Sequence, residues 1–171
     1  AADRAKSLVG QILAFSRQGG QQEPEPVLAQ PVIKETLKLL RNTIPTSIEI
    51  RSDIDRQTGA VTIQPGQLHQ VIMNLCTNAY HAMEAQQTGV LAVKLDQVQI
   101  RRETSPAHPQ LAPGRYLRIS VSDTGTGIAP EVMNKIFDPY FSTKSQEKGT
   151  GLGLSVSYGI IKNAGGLITV D

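Results

Sequence analysis

The spacing of apolar residues divides the chain into a short leading segment and a longer region of mixed character. An apolar stripe with helical spacing runs through residues 3–18, at Ala5, Leu8, Ile12 and Phe15. Such a stripe predicts a helix that packs against a partner helix. The stretch 18–26 that follows is polar and contains Gly and Pro, so it predicts a linker.

Beyond the linker, strand and helix patterns follow one another, which predicts an α/β fold. Short apolar or alternating runs predict strands at 27–30, 48–54, 60–63, 90–101 and 115–122, and the start of another at 167–171. Proline positions and an apolar period of three to four residues predict helices at 31–42, 65–85, 130–137 and from about 150 to 163. The Pro-rich stretch 105–114 is predicted to be a hairpin loop.

Composition narrows the class of partner. The 171 residues are 39% hydrophobic and 19% charged, and their net charge is only +2. A charge this small does not favour nucleic acid or an anionic membrane as the main partner, and we expect neither to contact this segment. Cys76 is the only cysteine, which excludes an intrachain disulfide and a cysteine-built zinc site.

The predicted helix 65–85 has two faces of different chemistry. Its apolar face consists of Leu68, Ile72, Leu75, Ala79 and Ala82, and a polar stripe on another face consists of Gln70, Asn74, Asn78 and His81. Asparagine is a poor helix former, so two asparagines one turn apart need an explanation. Their carboxamide oxygens suit a hard cation such as Mg²⁺. A solvated polar face explains the stripe equally well.

The stretch 123–128, Asp-Thr-Gly-Thr-Gly-Ile, directly follows a predicted strand. Its two glycines would let the backbone approach a flat ligand closely. The Asp123 carboxylate would accept a hydrogen bond from the exocyclic amine of adenine, whereas guanine presents an oxygen at that position. A tight turn that begins at the aspartate is an equally good interpretation.

The stretch 149–154, Gly-Thr-Gly-Leu-Gly-Leu, lies at the start of the last predicted helix. Small residues there expose backbone N–H groups, which predicts an anion site, although the glycine pattern alone is a weak signal. The stretch 137–144, Phe-Asp-Pro-Tyr-Phe-Ser-Thr-Lys, predicts a hinged lid in which Lys144 or Lys148 reaches a phosphate. An ordinary surface loop is the alternative.

In their order along the chain, these four stretches resemble the sequence boxes of the Bergerat ATP-binding fold, which histidine kinases, gyrase, the Hsp90 chaperones and mismatch-repair ATPases share. The likeness is closest to the catalytic domain of a sensor histidine kinase. Asn74-Leu-Cys-Thr-Asn78-Ala is similar to the N box, 123–128 to the G1 box, 137–144 to the F box and 149–154 to the G2 box. The resemblance implies a two-layer sandwich of a mixed sheet with helices on one face.

The resemblance also implies a division of the chain and an ATP·Mg²⁺ site. Residues 1–20 would be the second helix of a dimerisation and phosphoacceptor hairpin, 21–26 a linker, and 27–171 the catalytic domain, with its closing strands past Asp171. Asn78 would ligate Mg²⁺ with Asn74 beside it, and His81 stands where many members place Lys or Arg near the phosphates. The residues implied for ATP are Asn74, Asn78, His81, Ala82, Asp123, Gly125, Gly127, Ile128, Thr143, Lys144, Gly149, Thr150, Gly151, Leu152, Gly153 and Leu154.

As a histidine kinase, the full protein is expected to be a cytoplasmic homodimer, with or without a membrane anchor. It would pass the γ-phosphoryl group of ATP to a hairpin histidine and then to an aspartate in the receiver domain of a response regulator. No stretch is similar to the phosphoacceptor box, so we expect no catalytic residue in this chain and no autophosphorylation by it alone.

Three alternatives share these sequence boxes. ATPases that act as conformational clamps carry Glu four residues before the Mg²⁺ asparagine, but that position is Asn74, which cannot act as a base. A serine kinase of the anti-sigma type is disfavoured by the apolar stripe in residues 3–18. The intact boxes argue against a catalytically silent nucleotide-sensing or scaffolding domain.

Overall fold

The computed structural model describes residues 23–101, 110–143 and 150–171. The predicted helix 3–18, most of the predicted linker and the first half of the loop 105–114 lie outside these residues. Lys144, Lys148 and Gly149 lie outside them as well. The division of the chain into hairpin helix, linker and catalytic domain therefore stays a prediction.

The described part of the chain contains five strands and three α-helices. In chain order they are β1 (Glu25–Leu28), α1 (Ala29–Arg41), β2 (Ile48–Ile54), β3 (Ala60–Ile63), α2 (Pro65–Met83), β4 (Gly89–Ile100), β5 (Gly114–Asp123) and α3 (Gly153–Asn163). Two short 3₁₀ helices cover Glu84–Gln86 and Pro130–Lys135. Pro31 lies in the first turn of α1 and Pro65 opens α2, where the missing proline N–H costs no helical hydrogen bond.

The main sheet is mixed and has the strand order β2–β4–β5. Strand β2 pairs in parallel with β4, and β4 pairs antiparallel with β5. Strands β1 and β3 form a separate antiparallel pair. Because parallel neighbours need a crossover connection, the chain between β2 and β4 leaves the sheet, and α2 lies within this crossover.

One face of the sheet carries the core. The alternating residues Leu91, Val93 and Leu95 of β4 are buried, and they share one hydrophobic cluster with Ile33 of α1 and Ile72 of α2. Helix α2 packs between α1 on one side and α3 on the other. The expectation of a mixed sheet with helices on one face is therefore confirmed.

The other face of the sheet is polar. Arg118 donates a bidentate pair of hydrogen bonds to Asp96, at 2.8 and 2.6 Å, and these bonds hold the pKa of the Asp96 carboxyl below its usual range. Lys94 lies 3.8 Å from the same carboxylate. A shallow depression of about 350 Å³ also opens on this face, lined by Arg51, Ser52, Asp53, Ala92, Val93, Lys94, Ser120 and Ser122. None of these residues belongs to the site that the sequence predicts, so the depression is not part of that site.

Five details differ from the sequence predictions. Strand β1 begins at Glu25, inside the predicted linker, and α1 begins at Ala29 rather than at Pro31. The helix predicted at 130–137 is a six-residue 3₁₀ helix. Residues 167–171 form no strand, since they pair with no strand among the described residues. On α2, Leu75 and Ala82 are only half-buried, whereas Cys76 and Met83 are fully buried.

Candidate functional site

The polar stripe of α2 is present as one continuous face. Gln70, Asn74, Asn78 and His81 are all half-buried, in contrast to the buried Ile72 and Cys76 on the core side. A fully solvated stripe would be exposed along its whole length. The half-burial shows that other segments of the chain border this face.

The first of these segments is the N-terminal turn of α3. The Asn74 side chain donates through Nδ2 to the backbone oxygen of Gly153 at 3.0 Å and to Ser157 Oγ at 3.3 Å. Both hydrogen bonds use the amino end of the carboxamide, which leaves Oδ1 as its acceptor end. Asn74 therefore fastens the start of α3 to the polar stripe.

The start of α3 has the geometry of an anion site. The helix begins at Gly153 with Leu152 as its N-cap, a residue whose side chain makes no capping hydrogen bond. The Leu152 N–H donates to Thr150 Oγ1 at 3.4 Å. The first amides of a helix have no partner within it and carry partial positive charge, so this terminus suits phosphate oxygens.

The turn after β5 borders the other end of the stripe. Gly125 lies against the backbone of Ala82, and the Thr126 N–H donates to the Ala82 carbonyl at 3.2 Å. A Cβ at residue 125 would lie only 2.6 Å from the Ala82 carbonyl carbon, so glycine permits this approach. The turn is thereby fixed about one helical turn beyond Asn78.

Asp123 begins this turn and remains exposed. Its Oδ1 accepts a hydrogen bond from the Gly125 N–H at 2.8 Å, as in an Asx turn. Gly127 has a φ of +69°, and a Cβ there would meet nothing within 4 Å. The space beside Gly127 is open, as an approaching flat ligand requires, and the neighbouring Ile128 is 40% exposed.

Thr124 is a residue of this site that the sequence analysis missed. Its Oγ1 accepts a hydrogen bond from the Val90 N–H at 3.0 Å and donates to Met83 Sδ at 3.7 Å. It therefore ties the turn to the start of β4 and to the end of α2. Its partner Val90 lies 34 residues earlier, so nothing in the local pattern could have indicated this role.

The aromatic stretch before residue 144 packs beside α3. The rings of Phe137 and Tyr158 are 5.2 Å apart between centroids. Tyr140 has a φ of +65° and is 78% exposed, and its backbone lies against Gly151, which has a φ of +66°. Tyr140 thus holds a backbone conformation that is unfavourable for a bulky residue. The proposed lid lysine, Lys144, lies outside the described residues, as does Gly149.

The donor set around the stripe is neutral. Among the described residues there is no group of three or more His, Cys, Asp or Glu side chains that would hold a metal ion. The stripe carries the carboxamides of Asn74 and Asn78, whose oxygens are the kind of ligand that Mg²⁺ prefers. Mg²⁺ commonly takes one or two protein oxygens and completes its shell with phosphates and water, so these residues fit a cation that arrives with its nucleotide.

Known proteins resemble the chain in sequence and in fold. The sensor kinase CckA of Brucella abortus (strain 2308) is 39% identical over 170 residues, which cover 99% of this chain and 18% of CckA. The catalytic domain of histidine kinase ThkA, in a nucleotide-free form, superposes with a TM-score of 0.62 at 28% identity, over 84% of this chain and 82% of that one. ThkA in complex with the response regulator protein TrrA gives a TM-score of 0.59 at 24% identity, over 96% of this chain and 42% of that one, which shows the fold alone.

The fold and its sequence boxes define the class, which is the ATP-binding catalytic domain of the sensor histidine kinases. The family model described as "Histidine kinase-, DNA gyrase B-, and HSP90-like ATPase" matches residues 63–171, and the chain belongs to that family. The match contains α2, β4, β5 and α3, the elements that carry the candidate site. No helix among the described residues is both long and apolar enough to cross a membrane.

Proposed function

We propose that the site binds ATP with Mg²⁺ and presents the γ-phosphoryl group to a histidine outside this chain, within a sensor histidine kinase. One observation carries this proposal. Two segments of the chain dock on α2 at the two ends of the polar stripe: the Asp123 turn on the Ala82 backbone, next to His81, and the start of α3 on Asn74. A nucleotide placed along the stripe would meet a carboxylate for its base at one end and helix amides for its phosphates at the other.

Each end of the stripe has a defined task in this proposal. Asp123 would accept the adenine amine through the oxygen that does not bind Gly125, while Gly127 leaves room for the ring. The N–H groups at the start of α3 would receive the phosphates, with Lys144, Thr143 and His81 as further contacts. Asn78 and Asn74 would offer their oxygens to Mg²⁺, which neutralises phosphate charge during phosphoryl transfer.

Transfer of the phosphoryl group needs positioning more than a nucleophile in this domain. The bond between the γ-phosphorus and the bridging oxygen of ADP would break, and a bond from phosphorus to the imidazole nitrogen of the acceptor would form as that imidazole loses its proton. The receiver domain of a response regulator would then take the group. ThkA supports this partner, because its structure in complex with the response regulator TrrA has the same fold.

The hydrogen bonding of Asn74 favours a kinase over a clamp ATPase. The hydrolytic alternative needs a carboxylate at position 74 to activate water. In this structure the side chain at that position donates to the Gly153 carbonyl. A carboxylate would instead set an oxygen against that carbonyl, so this arrangement suits an amide and not a base.

The remaining assignments follow from the same proposal. Residues 1–20 would belong to a dimerisation hairpin, which would make the full protein a homodimer, and 21–26 would link it to the domain 27–171. We place the reaction in the cytoplasm because ATP and response regulators are found there. The chain spans 18% of the length of CckA.

Isothermal titration of the chain with a non-hydrolysable ATP analogue tests the proposal. We expect Mg²⁺-dependent binding of the adenine nucleotide and no comparable binding of the guanine equivalent. Asp123→Asn should weaken binding about tenfold or more, as for the loss of a hydrogen bond to a charged group. Asp53→Asn is the matched control, because Asp53 is exposed on the other face of the sheet. Equal affinity of Asp123→Asn and the unaltered chain would remove Asp123 from the site.

A further inference from the structure

We propose that Ser157 is a positioning residue, whose hydroxyl holds the phosphate-binding end of α3 in register with the cation-binding stripe of α2. This inference rests on the function proposed above and adds a residue that the four sequence boxes do not contain. Ser157 is completely buried, although it lies only four residues after the first residue of α3.

Ser157, Asn74 and Gly153 form a closed set of hydrogen bonds. Ser157 Oγ donates to the Gly153 carbonyl at 2.8 Å, and Asn74 Nδ2 donates both to that carbonyl at 3.0 Å and to Ser157 Oγ at 3.3 Å. A serine hydroxyl has one hydrogen and a carboxamide nitrogen has two. The Ser157 hydroxyl hydrogen is therefore used on the Gly153 carbonyl, and the Asn74 amino group has two acceptors, both on α3.

This arrangement fixes which end of the Asn74 carboxamide faces α3. If the amide were flipped, its oxygen would oppose the Gly153 carbonyl, and the hydroxyl would have to choose between two acceptors. The acceptors on α3 therefore hold the amino group, and Oδ1 lies on the opposite arm of the carboxamide. Ser157 thus fixes the orientation of the Asn74 carboxamide where α3 meets the polar stripe, and Asn78 lies one turn further along α2.

A packing role alone does not explain a hydroxyl at this position. The same contact between α2 and α3 could bury an apolar side chain without any polar group to satisfy. A serine that bonds back to the carbonyl four residues earlier slightly destabilises its own helix. Buried polar groups that are fully satisfied instead specify one arrangement of the elements that they join. Here that arrangement sets the first turn of α3, whose N-cap side chain makes no capping hydrogen bond, against Asn74.

The test compares Ser157→Thr with Ser157→Val. The two side chains have nearly the same volume, so the added methyl group should cost both variants the same, and they differ in the hydroxyl. We expect the threonine variant to bind the Mg²⁺ complex of the ATP analogue within about threefold of the unaltered chain, and the valine variant about tenfold more weakly. Adenosine should bind all three proteins equally, because the Asp123 turn is unchanged.

Two results of the binding experiment would overturn the inference. Unchanged triphosphate affinity in Ser157→Val would show that the hydroxyl positions nothing, and an equal loss for adenosine and triphosphate would show a general structural defect. Hydrogen exchange without nucleotide supplies an independent readout. From Val156 onward the amides of α3 are bonded within the helix, and there the valine variant should exchange faster than the threonine variant; equal rates would contradict the proposal. If the unaltered chain bound no nucleotide, the proposed function would fail, while the exchange result would still decide the role of Ser157.

Discussion

Single residues in this domain serve the fold and the proposed site at the same time. Asp123 accepts the hydrogen bond of its turn through Oδ1. The adenine contact that the family resemblance implies would use the other carboxylate oxygen, so the turn and the contact do not compete. Asn74 likewise holds α3 through the amino end of its carboxamide, although it belongs to the polar stripe proposed for the cation. The interpretations that the sequence left open for these residues are therefore compatible.

His69 shows how burial couples one residue to pH. Its Nδ1 lies 2.9 Å from Thr36 Oγ1, and that hydroxyl donates to the Val32 carbonyl at 2.8 Å. The single hydroxyl hydrogen is thus used, so the His69 Nδ1–H donates to Thr36. Burial lowers the pKa of His69, and the nearby Glu35 carboxylate offsets only part of this effect. The folded state therefore favours the neutral imidazole.

We predict that the free energy of unfolding falls as the pH is lowered through about 6.5, where the histidine of the unfolded chain takes up a proton. Between this pH and the lower pKa of His69 in the folded state, His69 should change the free energy of unfolding by at most about 1.4 kcal/mol per pH unit. Urea unfolding between pH 7.5 and 5.5 measures it. In His69→Gln the slope should be smaller, and identical slopes in the two proteins would contradict the assignment.

At the scale of elements, α2 joins the core, α1 and α3 through three different faces. Its apolar period predicted the helix to within two residues of its end, because burial of one face repeats with the helical period.

The apolar period did not predict that Leu75 and Ala82 are half-buried. Burial on the faces of α2 that turn away from the sheet depends on how α1 and α3 pack against it, which the period does not contain. Thr124 and Ser157 were missed because their partners lie 34 and 83 residues away. The predicted start of a strand at residues 167–171 is not found, because a strand needs a paired neighbour as well as an alternating pattern.

The contact between the Asp123 turn and α2 gives a prediction at this scale. Gly125→Ala would force a Cβ against the Ala82 backbone, and overpacking of this kind costs about 1–3 kcal/mol. Urea unfolding measures the loss, and nucleotide binding should weaken with it. Gly159→Ala is the matched control, because a Cβ at this position in α3 meets nothing within 4 Å and alanine favours a helix by about 1 kcal/mol. Equal stability of the two variants would contradict the close packing of residue 125.

At the scale of the whole molecule, one hydrophobic cluster joins both sheets to all three helices. Cys76 lies within it, and burial raises the pKa of its thiol to about 12. The reactive thiolate is therefore absent near neutral pH in the folded protein. Since this is the only cysteine, its modification reports on opening of the core.

We predict that Cys76 reacts with a disulfide reagent such as 5,5′-dithiobis(2-nitrobenzoate) slowly in native buffer and within seconds in denaturant. Under conditions where opening limits labelling, a nucleotide at 100 times its dissociation constant should slow the reaction about a hundredfold, because it stabilises the folded state by about 2.7 kcal/mol. Rapid labelling in native buffer would show that the core opens locally at α2. If nucleotide did not change the labelling rate, the opening that exposes Cys76 would be independent of nucleotide binding.

The parallel pairing of β2 with β4 also bears on synthesis of the chain. Ile48 pairs with Gly89, so β3 and α2 leave the ribosome before the sheet that supports them can close. The two segments that dock on α2 are made later still, at residue 123 and after residue 150. A nascent chain therefore completes the proposed base contact and the proposed phosphate contact only in its final third. An unfinished product that stops before α3 would lack the proposed phosphate contact.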